Sequence, residues 1–145
     1  LSSILNNSLD LIDFSLKSNG IKIIKLIQND SNVFTYRNEL LQVLIALMKN
    51  SMDAFIENTI HDGNIILTVD KDDKYTIITI LDNAGGISDE VISRLFTPYF
   101  TTKNNNLGTG LGLYMSKTII EDHCEGILSV SSEGDETTFT IKLPL

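Results

Sequence analysis

The sequence predicts an α+β fold in which helices cover one face of a mixed, mainly antiparallel sheet. Apolar strands occur in two pairs, and a short polar turn joins the members of each pair, which is typical of antiparallel hairpins. Three amphipathic helices each carry one apolar face, so each can be buried against the same side of that sheet. The 145 residues suffice for one hydrophobic core. We therefore predict a two-layer α/β sandwich.

The predicted elements follow in a clear order along the chain. Apolar residues at helical spacing predict a first helix over 3–18, which an Asn-Gly pair ends. A β-branched run predicts a strand over 21–27, and an extended piece at 33–36 is a candidate partner for it. A long amphipathic helix covers about 38–58. The remaining predicted elements are strands over 64–70 and 74–81, a short helix capped by Ser88, a loop over 97–110, a helix over 111–123, and strands over 127–132 and 137–143.

The composition excludes several classes of function and site. A formal net charge of −8 disfavours general binding to nucleic acid or to anionic membranes, since both need clustered Lys and Arg. We expect neither a nucleic-acid partner nor a direct membrane contact. Cys124 is the only cysteine, which excludes an internal disulfide and a cysteine-based zinc site. A cytoplasmic location fits best, including the cytoplasmic part of a membrane-anchored protein.

A polar group interrupts the apolar pattern of the long helix. Asn50, Ser51 and Asp53 stand among Leu and Met residues, and Asn50 and Asp53 share a helix face because they are three residues apart. The amide oxygen of Asn is a suitable ligand for a hard cation such as Mg²⁺. The same pattern also fits an ordinary polar helix surface, so this group alone leaves both interpretations open.

A second polar group, Asp-Asn-Ala-Gly-Gly-Ile at 82–87, comes directly after an apolar strand. A carboxylate at a strand end can accept a hydrogen bond from an exocyclic amine such as that of adenine. Paired glycines let the backbone approach a flat ring. An ordinary Asp-Asn-Gly turn would have the same sequence, so the pattern alone favours a purine site and a plain turn equally.

Two further groups lie around the predicted loop. Within 94–103, three aromatic residues can anchor the loop while Thr101, Thr102 and Lys103 face a ligand, although a packed corner would contain the same aromatics. The stretch 108–113, Gly-Thr-Gly-Leu-Gly-Leu, opens a helix, where backbone N–H groups and the helix dipole favour an anion. It is not a dinucleotide-binding fingerprint, because no βαβ unit surrounds it, and it lacks the Gly-Lys-Ser/Thr of a P-loop.

Together these groups resemble, in order and spacing, the ATP-binding catalytic domain of sensor histidine kinases. That domain belongs to the GHKL superfamily (HATPase_c), with gyrase-type topoisomerases, heat-shock chaperones and mismatch-repair proteins. Residues 50–54 are similar to the family's N box, 82–87 to its G1 box, 96–103 to its F box, 108–113 to its G2 box and 137–144 to its closing strand. The short loop between the F and G2 boxes resembles the nitrogen-regulator-like subgroup. The resemblance implies a Bergerat-type ATP-binding fold.

The resemblance assigns a role to individual residues. It implies that Asn50 coordinates the Mg²⁺ bridging the ATP phosphates and acts in catalysis together with Lys103, which meets phosphate charge. Asp82 would accept from the adenine amine, Gly86 and Ile87 would support the base, and Asp53 would bind through water. The further nucleotide-binding residues that the resemblance implies are Thr102, Gly108, Thr109, Gly110, Leu111, Gly112, Leu113 and Thr138.

The resemblance also implies an activity and its partners. A protein-histidine kinase domain transfers the γ-phosphoryl group of ATP to a histidine on a separate dimerisation domain, and a response regulator acts downstream. Such transfer depends mostly on positioning and charge neutralisation. By resemblance, 21–145 is the ATP-binding domain, 97–109 is its lid, and the helix within 1–20 connects to the dimerisation domain. Simple burial of that helix in the core is the alternative.

Three positions depart from the family's pattern. Ala46 stands where an Asn, His or Glu usually precedes Asn50 by one helical turn, and Ala84 and Glu136 replace glycines. The usual side chain at position 46 assists metal binding or proton handling. A non-catalytic module that binds ATP, or only a partner protein, is therefore the alternative function.

Overall fold

The computed structural model describes residues 1–30, 32–101 and 110–145. It contains five strands and four α-helices within these ranges, and a π-helical segment continues the last helix. The predicted α+β sandwich is confirmed. The elements are α1 (Ser2–Ser18), β1 (Lys22–Ile27), α2 (Arg37–Glu57), β2 (Asn64–Lys71), β3 (Tyr75–Asp82), α3 (Asp89–Ile92), α4 (Gly112–Thr118), the π-helical segment (Ile119–His123), β4 (Ile127–Glu133) and β5 (Glu136–Pro144).

The strands form one sheet in the order β1-β2-β3-β5-β4. The β2–β3 and β4–β5 pairs are the two predicted hairpins, and β3 also pairs antiparallel with β5. Strand β1 is parallel to β2 because α2 carries the chain across the sheet between them. The predicted pairing of 33–36 with β1 is wrong: residues 32–36 form no strand, because here the chain leaves β1 to begin α2, and Val33 packs against the core instead.

The core lies between one face of the sheet and the helices. Alternate residues of β2, β3 and β5 are buried, as expected for a sheet with one covered face. Helix α2 provides the centre of the opposite layer, where Leu44, Leu47 and Phe55 are almost fully buried. In the part of the chain that the structure describes, no helix is both long and apolar enough to cross a membrane.

Helix α1 belongs to the same core. Its apolar stripe, which includes Leu5, Ile12 and Leu16, is buried, and the helix packs against α2. The stripe predicted from the sequence is therefore used in core burial, which is the alternative named above. A connection from this helix to a dimerisation domain stays a prediction.

The predicted helix over 111–123 has two parts. It is α-helical over Gly112–Thr118 and π-helical over Ile119–His123. The wider π turn lets both Ile119 and Ile120 point into the core. At its end, His123 Nδ1 lies 2.8 Å from Glu39 Oε2 at the start of α2, which ties the two helices together at the surface.

We expect Leu5→Ala to lower the free energy of unfolding by about 2–5 kcal/mol, because Leu5 is fully buried between the helices. Leu11 lies on the same helix but is 67% exposed, so Leu11→Ala is the matched control and should cost no more than roughly 0.5 kcal/mol. Urea denaturation of both variants measures the difference. Equal, small effects would contradict the burial of α1.

Candidate nucleotide site

The site begins at Asp82, the last residue of β3. Its side chain is only 3% exposed and lies between the sheet and α2. Ser51 Oγ donates to Asp82 Oδ2 at 2.6 Å, and the backbone N–H of Ala84 donates to Oδ1 at 3.1 Å. Burial raises the pKa of Asp82, whereas these two hydrogen bonds act in the opposite direction. The carboxylate is thus a desolvated acceptor that the protein orients through both oxygens.

Helix α2 places the predicted metal ligand beside this carboxylate. Ser51 is fully buried on the core-facing side of α2, one turn from Leu47 and Phe55. Asn50 precedes it and is half-buried, as is Asp53. Because side chains three or four residues apart share a helix flank, Ala46, Asn50 and Asp53 lie along one edge of α2, next to the buried Ser51–Asp82 pair.

The loop after β3 is held from two sides. Asn58, just after α2, donates from Nδ2 to the carbonyl of Ala84 at 2.6 Å. On the other side, the backbone N–H of Gly85 donates to the carbonyl of Asp135 at 3.0 Å. The backbone N–H of Ile87 donates to Ser132 Oγ at 2.8 Å. The loop is therefore fixed before any ligand binds, because side chains and the β4–β5 turn satisfy its backbone groups.

Gly86 can only be a glycine at this position. Its φ is +75°, and a Cβ would overlap the backbone carbonyl oxygen of Gly134 in the β4–β5 turn. The sequence left a ligand site and a plain turn equally open for the paired glycines. The structure gives a reason for Gly86 that needs no ligand, which is the close approach of two backbone turns.

The threonine that lies beside Asp82 is Thr137. Asp82 is paired with Thr137 across β3 and β5, and directly opposite residues point to the same face of a sheet. Thr137 is 4% exposed on the helix-covered face. Thr138 pairs with Leu81 and lies on the other face. The alternation of β5 thus turns the side chain of Thr138 away from Asp82, and the role of Thr138 at the adenine stays a prediction.

The described part of the glycine-rich stretch lies at the start of α4. Gly110 has a φ of +72°, and its carbonyl accepts from the N–H of Tyr99 at 3.0 Å. Leu111 is the N-cap, Gly112 is the first residue of α4, and Leu113 packs against the core. The predicted site residues Thr102, Lys103, Gly108 and Thr109 lie outside the described residues.

Two of the three aromatics in the preceding stretch anchor this region. Phe96 packs against the core, with Lys117 Nζ 4.7 Å from its ring centroid. Phe100 is half-buried beneath the guanidinium of Arg94. Tyr99 is 74% exposed, so, contrary to the expectation, it does not anchor the loop.

The sequence did not single out four residues that build the site: Ser132, Asn58, Thr137 and, as a partner of Asp82, Ser51. A buried polar side chain within an apolar stripe needs a hydrogen-bond partner. The position of Ser51 in the apolar stripe of the long helix was therefore a signal that it has a buried partner. Nothing in the local pattern around Ser132 or Asn58 distinguishes them from surface residues, because their partners lie far away in the sequence.

The fold is a two-layer α+β domain with a buried carboxylate at the candidate site, and comparison with known proteins gives the family. Residues 35–145 match the family described as histidine kinase-, DNA gyrase B-, and HSP90-like ATPase. The chain therefore belongs to this family. Sporulation kinase E of Bacillus subtilis (strain 168) is 31% identical over 100% of this chain and 19% of its own length. Sensor histidine kinase ZraS of Escherichia coli (strain K12) is 33% identical over 100% of this chain and 30% of its length.

Solved structures agree on the type of domain. The catalytic domain of histidine kinase ThkA superposes with a TM-score of 0.86 at 27% identity, covering 99% of this chain and 91% of that one. A further structure shows ThkA in complex with the response regulator protein TrrA, with a TM-score of 0.81 at 24% identity, covering 99% of this chain and 40% of that one. Within the family, the chain is thus a domain of the sensor histidine kinase type. It spans less than a third of the length of both curated relatives.

We expect Gly86→Ala to destabilise the domain by roughly 1–3 kcal/mol more than Gly134→Ala, because only the first adds a steric overlap. Both residues have positive φ, and a Cβ on Gly134 would have no neighbour within 4 Å. The control should therefore cost only about 1 kcal/mol of backbone strain. Thermal unfolding measures both, and equal costs would contradict the close approach of the two turns.

Proposed function

We propose that this domain binds ATP with Mg²⁺ and transfers the γ-phosphoryl group to a histidine on a separate dimerisation domain. The observation that carries the proposal is the buried carboxylate of Asp82, oriented by Ser51 and Ala84 beside a rigid glycine turn. An acceptor in a desolvated pocket selects a ligand that brings its own N–H donor. The 6-amino group of adenine is such a donor.

The base would lie against the turn after β3. In this proposal, Asp82 accepts from the 6-amino group, the backbone at Gly86 and Ile87 supports one edge of the ring, and Thr137 takes the place first given to Thr138. The half-buried side chains of Leu111 and Leu113 would complete the apolar wall. Two hydrogen bonds support this arrangement, because they fix the turn independently of ligand: Ser132 Oγ accepts from the N–H of Ile87, and Asn58 donates to the carbonyl of Ala84.

The phosphates and the metal would lie toward α2 and the start of α4. Asn50 and Asp53 offer an amide and a carboxylate oxygen, which suit Mg²⁺. Among the described residues, no group of three or more His, Cys, Asp or Glu could hold a metal ion by itself. A bound magnesium ion would neutralise phosphate charge, and Asn50 and Asp53 are the residues proposed to hold it. Lys103, Thr102, Gly108, Thr109, Gly110 and Gly112 are the proposed phosphate-contacting residues.

The phosphoryl acceptor would lie outside this domain. The chain has two histidines. His61 is exposed in the connection between α2 and β2, and His123 contacts Glu39 at the surface. Neither lies on the α2 edge that carries Asn50. We propose a cytoplasmic setting and a response regulator as downstream partner, in line with the ThkA–TrrA complex. The nitrogen-regulator-like subgroup stays a prediction.

We expect Asp82→Asn to weaken ATP binding roughly 10- to 100-fold, because a hydrogen bond to a charged acceptor is lost. Titration calorimetry with ATP and Mg²⁺ measures this effect. Asp135→Asn is the matched control, since Asp135 is exposed and contacts Gly85 only through its carbonyl. Unchanged affinity in Asp82→Asn would refute the proposed adenine site.

We expect that Asp82→Asn will not destabilise the domain in the absence of a ligand. Burial raises the pKa of Asp82 above its ordinary 3.8, so the folded state binds the proton more tightly than the unfolded state. The contribution of Asp82 to stability therefore falls as pH rises from about 3.8 through the raised pKa. Asp82→Asn should remove this fall, which thermal unfolding between pH 4 and pH 7 would show as a flatter profile.

We expect Ala46→Asn to raise the rate of phosphoryl transfer while leaving ATP affinity nearly unchanged. Ala46 is half-buried one turn before Asn50 on the same edge of α2, so an amide there can reach the proposed phosphate region. Transfer of labelled phosphate to a separately supplied dimerisation domain measures the rate. Gln42→Asn is the control, because Gln42 is an exposed residue one turn before Ala46 on the same helix, and so farther from Asn50. An unchanged rate would favour the non-catalytic alternative.

A further inference from the structure

Ser51 is a fully buried hydroxyl in an otherwise apolar stripe. Leu44, Leu47, Met48 and Phe55 of the same helix are also buried. Burying a hydroxyl costs free energy unless it is hydrogen-bonded, and an alanine would fill this position without that cost. The partner of Ser51 is the carboxylate of Asp82, so the hydroxyl has a use in the site that core packing alone does not explain.

The hydrogen bonds around Asp82 determine which of its acceptor positions remain free. Ser51 Oγ occupies one position on Oδ2 at 2.6 Å, and the N–H of Ala84 occupies one on Oδ1 at 3.1 Å. A carboxylate offers about four lone-pair sites, so each oxygen keeps a further one. Because the two donors come from α2 and from the loop after β3, they lock the plane of the carboxylate between two elements.

We propose that Ser51 is a positioning residue for the base, whose hydroxyl orients the Asp82 carboxylate so that the site selects purines with a 6-amino group. The inference rests on the proposed adenine site and deepens it. A locked acceptor discriminates between ligands with and without a matching donor more strongly than a freely rotating one, because no orientational freedom is lost on binding.

The test is base selectivity. Titration calorimetry compares ATP with purine ribonucleoside triphosphate, which lacks only the 6-amino group. In Ser51→Ala, the affinity for ATP should fall about tenfold, whereas the affinity for the analogue should stay within about twofold because it makes no bond to Asp82. The ratio of the two affinities is thus the readout, and a general loss of folding or packing would not change it.

Two further variants separate hydrogen bonding from packing. Ser51→Cys fills nearly the same volume with a weak donor, so it should lose selectivity as Ser51→Ala does, and it serves if the alanine variant fails to fold. Ser8→Ala is the matched control: Ser8 is a fully buried helix serine whose hydroxyl donates to the carbonyl of Leu5 at 2.7 Å. It should leave the ratio unchanged.

The outcomes distinguish this inference from the proposed function. If Asp82→Asn removes the preference for ATP but Ser51→Ala and Ser51→Cys keep it, the adenine site stands and the role of Ser51 is wrong. If Asp82→Asn leaves the preference intact, the adenine site itself is refuted. A change of the ratio in Ser8→Ala would also overturn the inference, because the effect would then be one of general stability.

Discussion

The hydrogen bond between Ser51 and the buried carboxylate of Asp82 joins the two layers of this domain at its site. It requires β3 to end under α2, so the register of the sheet and the rotation of the helix are both constrained at this point. A carboxylate in this position costs folding free energy, because burial disfavours its charged form. The rest of the site is arranged around that one desolvated acceptor.

The turn between β4 and β5 supports the loop after β3. The carbonyl of Asp135 and the hydroxyl of Ser132 accept from the N–H groups of Gly85 and Ile87. The backbone at Gly86 approaches the carbonyl oxygen of Gly134 so closely that no side chain fits at Gly86. A distant hairpin therefore keeps the proposed base-binding edge in place without a ligand, which limits the ordering cost of binding.

The site thus has two parts: one that the protein holds rigidly, and one that lies along the edge of α2. Asp82, the glycine turn and Thr137 are fixed by sheet pairing and by hydrogen bonds from neighbouring elements. The edge of α2 that carries Asn50 and Asp53 faces outward from the core. In the proposed function, rigid backbone would hold the base and side chains of α2 would contact the phosphates. This division fits a reaction that depends on positioning and charge.

The sequence by itself determined the helices, both hairpins and the family, because amphipathic periodicity and the spacing of Asn50, Asp82 and the glycines are local patterns. It did not determine the conformation of 33–36, because that depends on the crossover to α2. It also did not determine the π-helical segment after Thr118, because that depends on packing. Only the tertiary structure showed that Thr137 and not Thr138 faces Asp82, and that Ser51, Asn58 and Ser132 hold the site. The hydrogen bonds of Ser51, Asn58 and Ser132 join residues 26 to 45 positions apart, so no local pattern reveals them. The choice between Thr137 and Thr138 depends on strand register, because a shift of one residue reverses which face a side chain occupies.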